Sequence, residues 1–190
     1  MRLLAIDTTG AFSSTAIYDD GIIAQIINED DYSHLQKLVP GIKLLMDEEE
    51  VKPEDIDAVA VSRGPGSFTG IRIGMATAKG LAQIWNKPIV EVPTLATFAF
   101  CDYSWTDEEN ALYCPVFDAK RMQVYAAAYE KNNKEAVYEH RIIEPGSLYC
   151  KALRGYPEEQ HQQCNYRNRE HRLHLDKAEE IGDLRSVLVS

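Results

Sequence analysis

The chain holds 190 residues, 45% of them hydrophobic, with 20 Lys and Arg against 30 Asp and Glu for a formal net charge of −10 at pH 7. That is material for one ordinary domain or two small lobes, and a surface of that sign repels nucleic-acid phosphates, which argues against RNA being held by this chain alone. No apolar run approaches the ~20 residues of a membrane-spanning helix, and Asp7 follows Met1 to Ile6 too soon for a signal peptide, so a cytoplasmic protein is expected.

Leu3 to Asp7 reads as a short strand that ends in an acid and runs into Thr8, Thr9 and Gly10. Two more strands, Ser13 to Tyr18 and Ile22 to Ile27, flank Asp19-Asp20-Gly21, whose D-G pair is a strong hairpin signal. A carboxylate and two hydroxyls at a strand end suit a phosphate or Mg²⁺. The plainer account, which the sequence favours, is an Asp closing a turn through its own side chain.

Ser33 to Glu50 is expected to be helical, with Ser33 and Gln36 as a capping box and Leu35, Leu38, Val39, Ile42, Leu45 and Met46 as one apolar stripe. Pro40 and Gly41 predict a kink. His34 opens this helix, but a metal pair at i, i+4 would need a second ligand where Leu38 stands, so no metal is expected there.

After Pro53 to Asp57, a strand from Ala58 to Val61 enters the densest stretch of the chain, Ser62 to Ala82, S-R-G-P-G-S-F-T-G-I-R-I-G-M-A-T-A-K-G-L-A. Gly64-Pro65-Gly66 stops the strand, and Ser67 or Thr69 is expected to cap a helix to about Gln83. A glycine turn before a helix N-terminus is an anion-site pattern, which makes Gly64 and Gly66 candidates with Asp7, Thr8 and Thr9. Standard nucleotide motifs fail on spacing: Ile71 and Arg72 follow Gly70 where a Walker loop needs Lys and Ser or Thr, and three residues separate Gly66 from Gly70 where the dinucleotide fingerprint needs two. Gly70, Gly74 and Ala78 share one helix face. Each interior glycine costs about 1 kcal/mol relative to Ala, so a close contact should compensate.

Pro88 to Val92 is expected as a strand and Thr94 as the cap of a short helix to Phe100, giving the order β-β-β-α-β-α-β-α. Residues 102–110 read as a linker. Strands Leu112 to Phe117, Val124 to Tyr129 and Ala136 to Ile143 then begin a β-rich second lobe, with loops at Asp118 to Met122 and at Asn132-Asn133-Lys134. The tail from 157 offers little for burial, and its H-x-x-C and H-x-x-H at His161, Cys164, His171 and His174 match no zinc spacing. Cys101, Cys114, Cys150 and Cys164 contain no C-x-x-C and read as free thiols. The expected organisation is an N-terminal lobe over 1–101, a linker over 102–110, a partial second lobe over 111–156 and a polar tail over 157–190.

Ala5 to Thr9, His34 to Pro40, Ser62 to Gly74 and D-A-K-R-M-Q-V-Y at Asp118 to Tyr125 together resemble the bacterial tRNA threonylcarbamoyladenosine biosynthesis family TsaB, paralogue and partner of TsaD, over about residues 1–147. The G-P-G-S-F-T-G-I-R-I-G core is the specific part. The resemblance implies an α/β, actin-like ATPase fold of ribonuclease-H-like lobes, complete at the N-terminus and truncated or altered in the second lobe. It departs from the family at Gln123, usually Glu, in total length, and in a tail after Leu148 that lacks apolar strands and helices.

It further implies a subunit without catalytic activity or a cofactor of its own. Such a subunit pairs with TsaD, works with the ATPase TsaE while TsaD transfers the threonylcarbamoyl group to tRNA, meets tRNA only through that complex, and forms a homodimer when TsaD is absent. ATP with Mg²⁺ at the complex interface is left open. TsaD holds its metal with two histidines four apart on the helix matching Ser33 to Glu50, and Leu38 removes one of them. Leu38, Val39, Ile42, Gly70, Ile71, Gly74 and Met75 are the expected pairing surface, on which the two glycines would let a partner helix approach closely; the alternative is that these stripes face only the chain's own sheet.

Two other functions compete. A small-molecule kinase or ATPase of the same fold would use Asp7, Thr8 and the glycine turn but lacks a metal set and a base. A peptidase would need more than His34 and Ser67, since no orienting acid accompanies them.

Overall fold

The computed structural model describes residues 1–28, 36–100, 112–113, 115–121, 123–130 and 136–143. The chain divides into two compact units between Thr94 and Leu95, earlier than the expected boundary after residue 101.

The first unit is a five-stranded sheet carrying two helices. Strand β1 (Arg2–Asp7) pairs antiparallel with β2 (Ser13–Asp19), which pairs antiparallel with β3 (Ile22–Asn28). Asp20 (φ 58°) and Gly21 (φ 154°) form the tight connection, as the D-G pair predicts. Helix α1 (Leu38–Glu48) follows, then a single 3-10 turn at Pro53–Asp55, β4 (Ala58–Gly64), α2 (Phe68–Trp85) and β5 (Ile89–Pro93). The sheet order is β3-β2-β1-β4-β5, with β4 parallel to both β1 and β5. Ala58 to Ser62 are all buried, as an apolar run becomes when it forms a central parallel strand.

Leu4 and Ile6 of β1 stand opposite Val59 and Val61 of β4. They share one core with Leu38, Ile42, Leu45 and Met46 of α1 and Ala78 and Ala82 of α2, so both helices pack on the same sheet face. Leu3, Tyr18 and Ala58 cluster separately.

Two expectations about α1 change. The helix starts at Leu38 with Lys37 at its N-cap and no capping side chain, while Ser33 and His34 lie outside the described residues. Pro40 therefore occupies the first turn, where an N–H has no partner inside the helix in any case. The first backbone bond runs from Gly41 N–H to Lys37 O at 2.7 Å, and the expected kink at Pro40 becomes a helix start.

The second unit holds α3 (Thr94–Phe100, from Leu95 onward), β6 (Leu112–Tyr113), β7 (Val116–Lys120), β8 (Gln123–Glu130) and β9 (Ala136–Ile143). β8 is central, antiparallel to β9 and to β6 and β7. Pro115 lies in the break between β6 and β7, and its carbonyl accepts from Ala127 N–H at 3.3 Å. Leu95 and Ala96 pack with Ala127 and Tyr129. Asp118 to Lys120 belong to β7 rather than to the expected loop, and the turn is concentrated at Arg121 (φ 54°). The linker at 102–110, the turn at Asn132 to Lys134, all four cysteines and the tail at 157–190 lie outside the described residues.

Candidate functional site

The end of β1, the glycine turn after β4 and the start of α2 come together around Thr8 and Thr9. Asp7 Oδ1 accepts from both the backbone N–H and the hydroxyl of Thr9, each at 2.7 Å. This is the turn geometry that an Asp makes with the residue two positions on. The Thr8 hydroxyl donates to the Gly70 carbonyl at 2.7 Å, and Ser67 N–H donates to the Thr9 carbonyl at 2.7 Å. Thr94 Oγ1 lies 3.4 Å from Thr9 Oγ1. Thr8, Thr9 and Thr94 are each 2% exposed.

The start of α2 is equally committed. Ser67 is the N-cap, its hydroxyl oxygen accepting from Gly70 N–H at 3.2 Å, and Ile71 N–H closes the first helical bond to Ser67 O at 2.8 Å. At the other end Asn86 (φ 55°) turns left-handed and Lys87 N–H returns to Ala82 O at 2.9 Å, a helix stop of the Schellman kind.

The glycines pack against this same strand end. A Cβ on Gly70 would overlap the Thr8 carbonyl, one on Gly74 the Thr8 hydroxyl, and one on Gly66 would stand 2.5 Å from Thr9 O. Gly64 (φ 100°) takes a conformation that L side chains avoid and faces Ile71 Cδ1 at 2.8 Å. The buried row Gly70, Gly74, Ala78 and Ala82 thus lets α2 sit unusually low on its own sheet. This corrects the expectation that Gly70 and Gly74 receive a partner's helix: the close contact is Thr8.

The candidate anion residues Asp7, Thr8, Thr9, Gly64 and Gly66 do gather in one place. The two hydroxyls, however, are already engaged, with the Thr8 hydroxyl proton given to Gly70 and that of Thr9 to Asp7. An incoming phosphate would have to displace these bonds before gaining its own.

Of the remaining expected pairing residues, Leu38 and Ile42 are buried in the core. Ile71 and Met75 are half-buried, and Val39 is 52% exposed. The outer sides of the two helices carry apolar residues that the sequence reading did not select: Leu44 at 52%, Phe68 at 74% and Ile84 at 79% exposed. Arg72 lies over the Phe68 ring, 5.2 Å from its centroid, a cation–π contact one turn apart. Large apolar residues outside the core stripe of a helix were the available signal for them.

Residues 21–177 match the family model described as TsaD, tRNA N6-adenosine threonylcarbamoyltransferase. The tRNA threonylcarbamoyladenosine biosynthesis protein TsaB of Bacillus subtilis (strain 168) is 35% identical over 70% of this chain and 57% of its own length. The protein of the same description from Escherichia coli (strain K12) is also 35% identical, over 70% of this chain and 56% of its own. The chain therefore spans somewhat over half the length of these curated relatives. A solved structure described as YeaZ from Pseudomonas aeruginosa superposes with a TM-score of 0.67 at 29% identity, covering 76% of this chain and 68% of that one. The family match, these relatives and the solved structure agree: the chain belongs to the TsaB family of tRNA threonylcarbamoyladenosine biosynthesis proteins, with an actin-like, ribonuclease-H-like α/β fold.

Proposed function

We propose that the chain is a non-catalytic accessory subunit in threonylcarbamoyl modification of the tRNA adenosine beside the anticodon, pairing with TsaD and acting together with TsaE. One observation carries this reading. The hydroxyls of Thr8, Thr9 and Ser67 are committed to bonds inside the fold, whereas the outer sides of α1 and α2 leave Val39, Leu44 and Phe68 exposed. An inward-satisfied site is a poor place for chemistry, and exposed apolar residues on neighbouring helices suit a protein partner.

The pairing surface so revised uses Val39 and Leu44 of α1 with Phe68, Ile71 and Met75 of α2. Leu38 and Ile42 support it from the core, and Gly70 and Gly74 set the height of α2 on the sheet. A second copy would take the same surface when TsaD is absent, tRNA would be met only through the complex, and ATP with Mg²⁺ would sit at the subunit interface rather than in this chain's glycine turn.

The deciding experiment mixes the purified chain with TsaD, TsaE, ATP and substrate tRNA, then omits it. Threonylcarbamoyladenosine formation should require the chain; equal formation by TsaD and TsaE alone would refute the role.

A further inference from the structure

From Ala58 to Val90 the chain carries Arg63, Arg72, Lys79 and Lys87 and no Asp or Glu. With 30 acidic residues in 190, a stretch of this length would ordinarily hold several. Seven acids of the first unit instead stand close together at the end of α1 and just beyond it, at Asp47 to Glu50, then Glu54, Asp55 and Asp57. α1 also settles charge within itself, since Lys43 pairs with Asp47. α2 has no acid with which to do so.

Phe68, Arg72, Met75 and Lys79 follow one another at spacings of four, three and four, so they form a single ridge along α2. Phe68, Arg72 and Lys79 are exposed, and Met75 is half-buried at the foot of the ridge. Arg72 lies over the Phe68 ring, which leaves the edges of its guanidinium fork free for a planar acceptor. Among the described residues neither Arg72 nor Lys79 has a carboxylate partner.

We infer that the partner segment seated on this ridge is a helix bearing two carboxylates ~10 Å apart, the rise of seven helical residues. One faces Arg72, the other faces Lys79, and apolar residues between them cover Phe68 and Met75. The inference rests on the pairing role proposed above and adds the chemistry of the partner's face. A protein is favoured over an RNA backbone because apolar side chains alternate with the cations and the chain as a whole carries −10, whereas phosphate tracks are lined by denser positive charge. The acid-free stretch then acts as a specificity device: a helix with lysines at those positions would be repelled.

The test uses the full chain with Arg72→Gln/Lys79→Gln and, separately, Phe68→Ala, each checked for an unchanged melting transition and titrated calorimetrically against TsaD at low and high salt. Wild-type affinity should fall with salt. The double variant should bind on the order of tenfold more weakly at low salt and lose most of that salt dependence, while Phe68→Ala should weaken binding at both salts and keep the slope. If the double variant keeps wild-type affinity and slope while Phe68→Ala still weakens binding, the carboxylate inference falls and the pairing role stands. If even the wild-type chain fails to bind, the pairing role falls and the inference with it. If the double variant keeps its affinity for TsaD but the complex loses tRNA, the ridge serves RNA and the inference is overturned.

Discussion

Thr8 is the most consequential single residue of the described structure. Its carbonyl and hydroxyl meet α2 at two successive glycines, Gly70 and Gly74, so there is no room for even one methyl group. Gly70→Ala should therefore destabilise the chain by about 3 kcal/mol, the upper part of the usual range for overpacking. Gly80, on the same helix, has nothing within 4 Å of the equivalent position, so Gly80→Ala should stabilise by about 0.5–1 kcal/mol. Opposite shifts of the urea midpoint in the two variants would check both.

Asp19 offers a pH-dependent counterpart. Its carboxylate takes the N-terminal ammonium at 3.3 Å and Arg2 at 3.1 Å. The hydrogen bond from the ammonium leads the effects that hold its pKa below the ordinary 3.8, with Arg2 reinforcing it against a smaller opposing push from desolvation. A carboxylate whose pKa is depressed on folding contributes stability above its unfolded pKa and loses it as pH falls through the folded value. Asp19→Asn should thus lower stability at neutral pH, with the deficit closing only below the normal carboxylate range. Thermal melts of both proteins from pH 7 down to acid would show the two curves converging.

At the scale of elements, the β-β-β-α-β-α-β-α order was legible because each element announces itself locally. D-G marks the hairpin, a short β-branched run marks β4, and Ser67 caps α2. The direction in which the glycine face of α2 points was not legible. Small residues four apart state that something comes close, and only the parallel pairing of β1 with β4 places Thr8 beneath them. Pro40 opens the helix instead of kinking it for a related reason: an apolar stripe extends past the end of a helix as readily as along it, and the start at Leu38 depends on backbone geometry that the stripe does not encode. The anion-site residues were found as a group in the sequence, while their mutual hydrogen bonds needed the fold to bring residue 8 beside residue 70. For the helices as a pairing surface, Phe68→Glu with Val39→Glu should cut association with TsaD by at least tenfold, because both side chains are exposed and a buried charge at an interface lacks compensation. The melting temperature of the isolated chain should barely move, and co-purification alongside a thermal scan would read both effects.

For the whole molecule, stability and the proposed pairing draw on mostly different residues, with Met75, which packs against the core, common to both. The core of the first unit is closed by Leu45, Met46 and Ile42 from below, and the ridge runs along the flank of α2, with Phe68, Arg72 and Lys79 exposed and Met75 packed against that core. Leu45→Ala should cost about 2–5 kcal/mol, visible as a lower denaturant midpoint. At temperatures where the variant remains folded, its affinity for TsaD should stay within about twofold of wild type, since none of the exposed ridge side chains, Phe68, Arg72 and Lys79, belongs to the core cluster that holds Leu45.

That separation traces to the contact between Thr8 and the two glycines. Helices resting on long side chains ride on something compressible, and their outer faces drift when the layer beneath them is altered. α2 instead rests on main chain and a threonine hydroxyl, which behave as a mechanical stop. The start of the ridge is thereby referenced to the end of β1 at Thr8, while farther along α2 Ile73, Leu81 and Trp85 rest on the core. The substitutions expected to move that surface are few and lie at the stop itself, at residues 8, 70 and 74.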